Sequence, residues 1–238
     1  MLLWPPKKSK NYEDRPDGCD PYIILLHYTG MESFEAARDR LSDPQSKVSA
    51  HYIIDEDGSA VSLVPEDKRA WHAGVSFWKG ESDINSASIG IEIVNPGHEF
   101  GYRPFPEVQM RTVLKLCREI MAAHDIKYVL GHSDVAPGRK IDPGELFEWK
   151  WLAEHGVGHW PKPTLEDVEM AKDIARKDYK VEKLFNEYGY NPTCAFADVV
   201  TAFHRHYLPQ AFLAETESVV HVKTVAYLLS LIRQQKNN

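Results

Sequence analysis

The chain has 238 residues, with 28 Lys+Arg against 35 Asp+Glu and a formal net charge of −7. Its 43% hydrophobic and 26% charged residues are ordinary for a folded protein, which excludes a disordered, collagen-like or disulfide-scaffold chain and suits one or two domains. The acidic balance argues against a broad footprint for nucleic acid or an anionic membrane surface, and no apolar run approaches the roughly 20 residues that span a bilayer.

Residues 1–20 read as a polar, Pro-rich lead-in. Apolar residues precede the lysines there, with no apolar stretch after them, the reverse of a secretory leader. The expected location is therefore the cytoplasm, with a periplasmic or envelope-associated site as the alternative. Cys19, Cys117 and Cys194 are far apart and form no CxxC pair, as in a reducing or redox-neutral setting.

Residues 22–26 are a short continuous apolar run that predicts a strand buried on both faces, and His27 stands at its end. A helix follows over 33–41, with Phe34, Ala37 and Leu41 on one face. Residues 51–54 and 60–64 read as a hairpin around the acidic turn that closes at Gly58. In 88–94 the alternation puts Ile89, Ile91 and Ile93 on one face and Glu92 on the other. A helix over 107–124 and a strand over 127–130, running into Gly131 and His132, complete an α/β pattern.

The composition changes at Trp160-Pro-Lys-Pro163, beyond which every segment reads as helix. Thr164 and Asp167 have capping-box spacing. Phe196, Val199, Val200, Phe203 and Tyr207 share a helical face, and a last helix covers about 219–234. The expected organisation is an α/β domain over 1–163 and a small all-α domain over 164–238.

His98, His124, His155, His159, His204, His206 and His221 read as structural. His27 and His132 differ, because each follows a strand, and Asp142 lies in the loop 131–143 after His132; the ends of neighbouring strands lie along one sheet edge, where ligand sites form in α/β folds. Two histidines and a carboxylate are enough protein ligands for a catalytic zinc, with a fourth position left for water. Spacing alone leaves a second reading open, in which both histidines bond loop backbone and Asp142 opens a turn before Pro143.

The segments LLHYTG (25–30), VSAHYIIDEDG (48–58), RAWHAG (69–74), SIGIEIVNPG (88–97), FPEVQM (105–110) and GHSDVAPGRKIDPG (131–144) resemble the type-2, AmpD-like zinc N-acetylmuramoyl-L-alanine amidases. The resemblance runs from about residue 21 to 163. It implies a central mixed sheet flanked by helices, as in peptidoglycan recognition proteins, and one zinc held by His27, His132 and Asp142. It also implies Glu92 as general base and Lys140 as the cation facing the oxyanion. Arg69, Trp71, His72, Asn95, Tyr52 and the 74–86 loop match substrate-groove positions.

The implied substrates are muropeptides, as soluble 1,6-anhydro fragments or as peptidoglycan itself. A non-catalytic peptidoglycan recognition module is the alternative. The helical tail resembles a peptidoglycan-binding domain around Tyr188-Gly-Tyr190 and 202–209, but lacks a glycine at 210–217 before its last helix.

Overall fold

The computed structural model describes residues 8–175 and 177–236, so the start of the expected lead-in and the last two residues of the tail lie outside it. In chain order the elements are β1 (Tyr12–Asp14), β2 (Ile23–Tyr28), α1 (Phe34–Ser42), β3 (Tyr52–Ile54), β4 (Ala60–Ser62), β5 (Lys68–Ala70), α2 (Ile84–Ala87), β6 (Ser88–Ile93), α3 (Gly97–Phe100), α4 (Glu107–Ala123) and β7 (Tyr128–Gly131). They continue with α5 (His132–Val135), α6 (Trp149–Glu154), α7 (Leu165–Ile174), α8 (Asp178–Tyr188), α9 (Phe196–Tyr207), α10 (Gln210–Leu213) and α11 (Val222–Lys236).

The main sheet has the order β4-β3-β6-β2-β7, and only β4 runs antiparallel to its neighbour. This is the mixed sheet that the resemblance implies. Ile24, Leu26, Ile89, Ile91 and Ile93 point to one face, where Met110, Val113, Cys117 and Ile120 of α4 cover them. The other face is divided. Ahead of the His27 and His132 positions along the strands, Ile23, Leu25 and Leu130 meet Trp78 and the helices after residue 163, through Phe185, Val200, Phe203 and Leu228. On the β3 side, Ile53 and Val61 meet Phe34 and Leu41 of α1. Between these two coverings the C-terminal ends of β2, β6 and β7 face a cavity, and polar side chains occupy them.

Local chemistry explains the helix starts. Ser33 caps α1 by accepting from the Ala36 N–H, and Thr164 and Asp167 form the expected reciprocal box at α7, at 3.2 and 2.7 Å. Where the tail lacks a glycine, Glu215 takes up a left-handed backbone (φ 54°).

Strands β1 and β5 have no counterpart in the hydrophobic pattern. Their three residues each are mostly charged, and the antiparallel pair is tied by Lys68–Asp14 at 2.7 Å and Arg69–Glu13 at 2.9 Å. Among the described residues no helix is long and apolar enough to cross a membrane.

Candidate active site

The sheet register sets the site. His27 of β2 lies directly opposite Glu92 of β6, so both side chains leave the same face of neighbouring strands about 4.8 Å apart. Leu26 pairs with Gly131, which brings His132 beside His27 at the end of β7. Gly131 is needed for space, since an added Cβ would meet Pro143 at 2.9 Å and Trp149 at 3.1 Å. The loop after α5 then doubles back, with the Ser133 N–H donating to the Asp142 carbonyl at 3.0 Å, and so delivers Asp142.

His27 Nδ1, His132 Nδ1 and Asp142 Oδ2 converge, each 3.0 Å from the other two, and all three residues are buried. The outer ring nitrogens decide what these atoms carry. His132 Nε2–H donates to the Ala73 carbonyl at 2.9 Å, and His27 Nε2–H donates to His72 Nδ1 at 3.1 Å. Those tautomers, assigned from the partners, leave both Nδ1 atoms as lone pairs aimed at a carboxylate. Burial, and next the neighbouring His132, push the His27 imidazole down to about 4, so it is neutral at pH 7. Burial alone would raise the Asp142 carboxyl; positive charge at its His132 and His27 partners outweighs burial and holds it well below the usual carboxylate range, and with both imidazoles neutral a bound cation would supply that charge.

Three electron-rich atoms meeting without a proton among them suit a cation. Tetrahedral zinc with ligands at roughly 2.0–2.1 Å separates its ligand atoms by about 3.3 Å, so this triangle needs to open by only a few tenths of an ångström. The donor set, two imidazoles and one carboxylate, fits zinc.

The cavity has a volume of about 470 Å³ and is lined by these three residues, Glu92, Lys140, Trp71 and His72 among others. Glu92 Oε2 is buried with no hydrogen-bond partner. Burial, then the Asp142 charge, raise its carboxyl to about 8 against the opposing pull of Lys140.

The profile of the family described as Amidase_2, N-acetylmuramoyl-L-alanine amidase, matches residues 17–145. The N-acetylmuramoyl-L-alanine amidase AmiD of Escherichia coli is 32% identical over 218 residues, 82% of this chain and 78% of that protein. The chain belongs to the N-acetylmuramoyl-L-alanine amidase family. Another member, the 1,6-anhydro-N-acetylmuramyl-L-alanine amidase AmpD of E. coli, is 34% identical over 59% of this chain and 85% of its own. In three dimensions AmpDH3 of Pseudomonas aeruginosa, also solved in complex with anhydromuramic pentapeptide, superposes with a TM-score of 0.79 at 29% identity over 98% of this chain and 99% of that one. The E. coli AmiD structure, a complex with the substrate anhydro-N-acetylmuramic acid-L-Ala-D-gamma-Glu-L-Lys, gives 0.76 at 29% identity over 93% of each chain.

Of the groove positions implied by the family pattern, the structure brings Trp71 and His72 to the cavity and places Arg69, Asn95 and Tyr52 elsewhere. Arg69 is turned to the β1–β5 ribbon, where it pairs with Asp83 and Glu13, each at 2.9 Å. Asn95 is fully buried and braces its own loop, donating to the Arg103 carbonyl and accepting from the Gly97 N–H. The Tyr52 hydroxyl donates to Glu66 at 2.6 Å. No residue of the 74–86 loop lines the cavity, because Trp78 anchors that loop in the core among Tyr128, Tyr188 and Tyr190.

His98, read as structural from the sequence, is in the cavity wall. It stacks on Tyr102 at 4.2 Å, accepts from the Tyr28 hydroxyl at 3.0 Å and bonds Glu145 at 3.1 Å. The signal for it was its place after Asn95-Pro-Gly97, at the same strand-end edge as His27 and His132. Arg139 joins the wall as well, donating to the Ala73 carbonyl at 2.7 Å.

His72 has a second role, as the acceptor that orients His27. Its ring lies flat against β6, where a Cβ on Gly90 would come within 2.5 Å of it. Gly90→Ala should therefore displace His72 and cost about 1–3 kcal/mol of overpacking strain. Denaturant unfolding of the metal-free protein should show that loss, and zinc binding should weaken with it.

Proposed function

We propose that this chain is a zinc-dependent N-acetylmuramoyl-L-alanine amidase that hydrolyses the amide between the lactyl group of N-acetylmuramic acid and L-alanine in 1,6-anhydro-muropeptides. The observation that carries this reading is the meeting of His27 Nδ1, His132 Nδ1 and Asp142 Oδ2 at 3.0 Å, beside the partnerless carboxylate oxygen of Glu92 and within one cavity. The anhydro-muropeptide complexes of AmiD and AmpDH3, whose folds this chain shares over nearly its whole length, support the choice of substrate.

His27, His132 and Asp142 would hold the zinc. Bound there, it supplies a Lewis acid that polarises the scissile carbonyl and acidifies a water. The chain's own residues do the rest. Glu92 accepts the proton of the attacking water and returns it to the L-alanine nitrogen as the C–N bond breaks, so the products are a lactyl carboxylate and a free amine. Lys140, in the same cavity, faces the oxygen that gains negative charge. Trp71 and His72 wall the substrate.

We assign this chemistry to residues 1–163 and treat 164–238 as a helical unit packed on the sheet. The three cysteines are free thiols, which suits the cytoplasm, and recycling of soluble anhydro-muropeptides is the setting we infer. Incubation with anhydro-muropeptide and, separately, with intact sacculi should release L-alanine-terminated peptide from the soluble fragment faster, as read by mass spectrometry. Preference for sacculi would move the enzyme to the envelope. Binding without cleavage of either would make it a recognition module.

A further inference from the structure

Helix α9 touches the metal-ligand loop, residues 131–145, at three places. Its contact residues Asp198, Arg205 and His206 are seven and eight positions apart, and so share one face of the helix. Asp198 lies so close to Gly138 that an added Cβ there would fall 2.3 Å from the Asp198 Oδ2. Arg205 Nε donates to Glu145 Oε2 at 3.3 Å, and its guanidinium is braced over the Phe212 ring at 4.8 Å. His206, stacked on Trp149 at 3.8 Å, donates through Nδ1 to Asp134 Oδ2 at 2.7 Å.

Asp134 is the centre of this contact. It is 1% exposed, and a carboxylate so buried needs donors on both oxygens. Oδ2 also accepts the Gly131 N–H at 2.8 Å, and Oδ1 accepts the Tyr190 hydroxyl at 2.8 Å. Two of its three donors therefore come from beyond residue 163, and the third is the backbone of the residue that precedes His132. The carboxylate joins the helical unit to the strand end that sets where His132 points.

We propose that His206 and Tyr190, acting through Asp134, are positioning residues of the amidase centre: the C-terminal helices hold in place the loop that presents His132, Lys140 and Asp142. On this view the helical unit is a structural part of the catalytic site, whatever it binds on its own account. The inference rests on the amidase reading, which fixes what the loop presents.

The test uses the full chain and measures the zinc dissociation constant by chelator competition, the melting temperature of the metal-free protein, and kcat and KM on anhydro-muropeptide. His206→Phe keeps the stack on Trp149 and removes the donor to Asp134. It should weaken zinc binding by about tenfold or more and lower kcat, with KM held within about twofold. Tyr190→Phe, which removes one oxygen, should give a smaller loss in the same direction, and it carries the test if His206→Phe does not fold.

Leu228→Ala is the control. Leu228 is buried in the same helical core and is none of the partners of Asp134, so this variant should melt earlier and bind zinc like the wild type. Wild-type zinc affinity and kcat in the folded His206 or Tyr190 variants would overturn the proposal, as would an equal loss of zinc affinity in Leu228→Ala at a matched fall in melting temperature. A wild-type chain that neither binds zinc nor cleaves would instead sink the amidase reading itself.

Discussion

Glu92→Gln should bind zinc as tightly as the wild type and lose kcat by about 10²–10⁴-fold, the usual contribution of a positioned general base. The amide matches the carboxylate in size, so the β6 register and the packing against His27 survive. What disappears is the basic oxygen. Glu92 Oε2 is the buried atom at this site without a partner inside the protein, which is what a group reserved for a reacting water should look like. Its carboxyl is raised to about 8 by burial and by Asp142, with Lys140 opposing. Every further positive charge in the cavity pulls it back toward the ionised form that a base needs. Single-turnover kinetics on the zinc-loaded variant separate the two losses. Near-wild-type kcat in Glu92→Gln removes Glu92 from the mechanism, and loss of zinc would make it a ligand.

Asp142→Ala and His27→Ala should lose metal and activity together. Structural zinc sites gain roughly 10–16 kcal/mol over four ligands, so one ligand is worth about 3 kcal/mol, or roughly 10²-fold in affinity. The two variants should differ in stability. Removing Asp142 leaves the His27 and His132 rings in place with their outer nitrogens still bonded, whereas removing His27 also strips His72 of its donor at 3.1 Å. Zinc content after dialysis and the metal-free melting temperature check both points. Full zinc occupancy in Asp142→Ala would take that residue out of the site.

The chemistry was legible in the sequence where local pattern and position coincided. Glu92 sits in a strand whose apolar alternation fixes the face it takes, and His27 and His132 each stand just after a strand legible as a short apolar run. Asp142 was readable as a carboxylate in the loop after His132, but its return to the site was not, because the turn that brings it back depends on Gly131 fitting between Pro143 and Trp149. Arg69, Asn95 and Tyr52 lie away from the cavity lining for a tertiary reason. The carboxylates that capture Arg69 come from residues 13 and 83, and no window of sequence shows that pairing. His206 was read as structural, and its bond to Asp134, 72 residues away, gives that structural role a bearing on the site.

Metal dependence of amide cleavage tests the account most directly. Purified protein stripped by a chelator and titrated with zinc should recover hydrolysis of anhydro-muropeptide in proportion to zinc, reaching a plateau at one equivalent. The product should be a peptide with a free L-alanine amine. Cleavage by the stripped protein at the same rate, or none at any zinc loading, would contradict it.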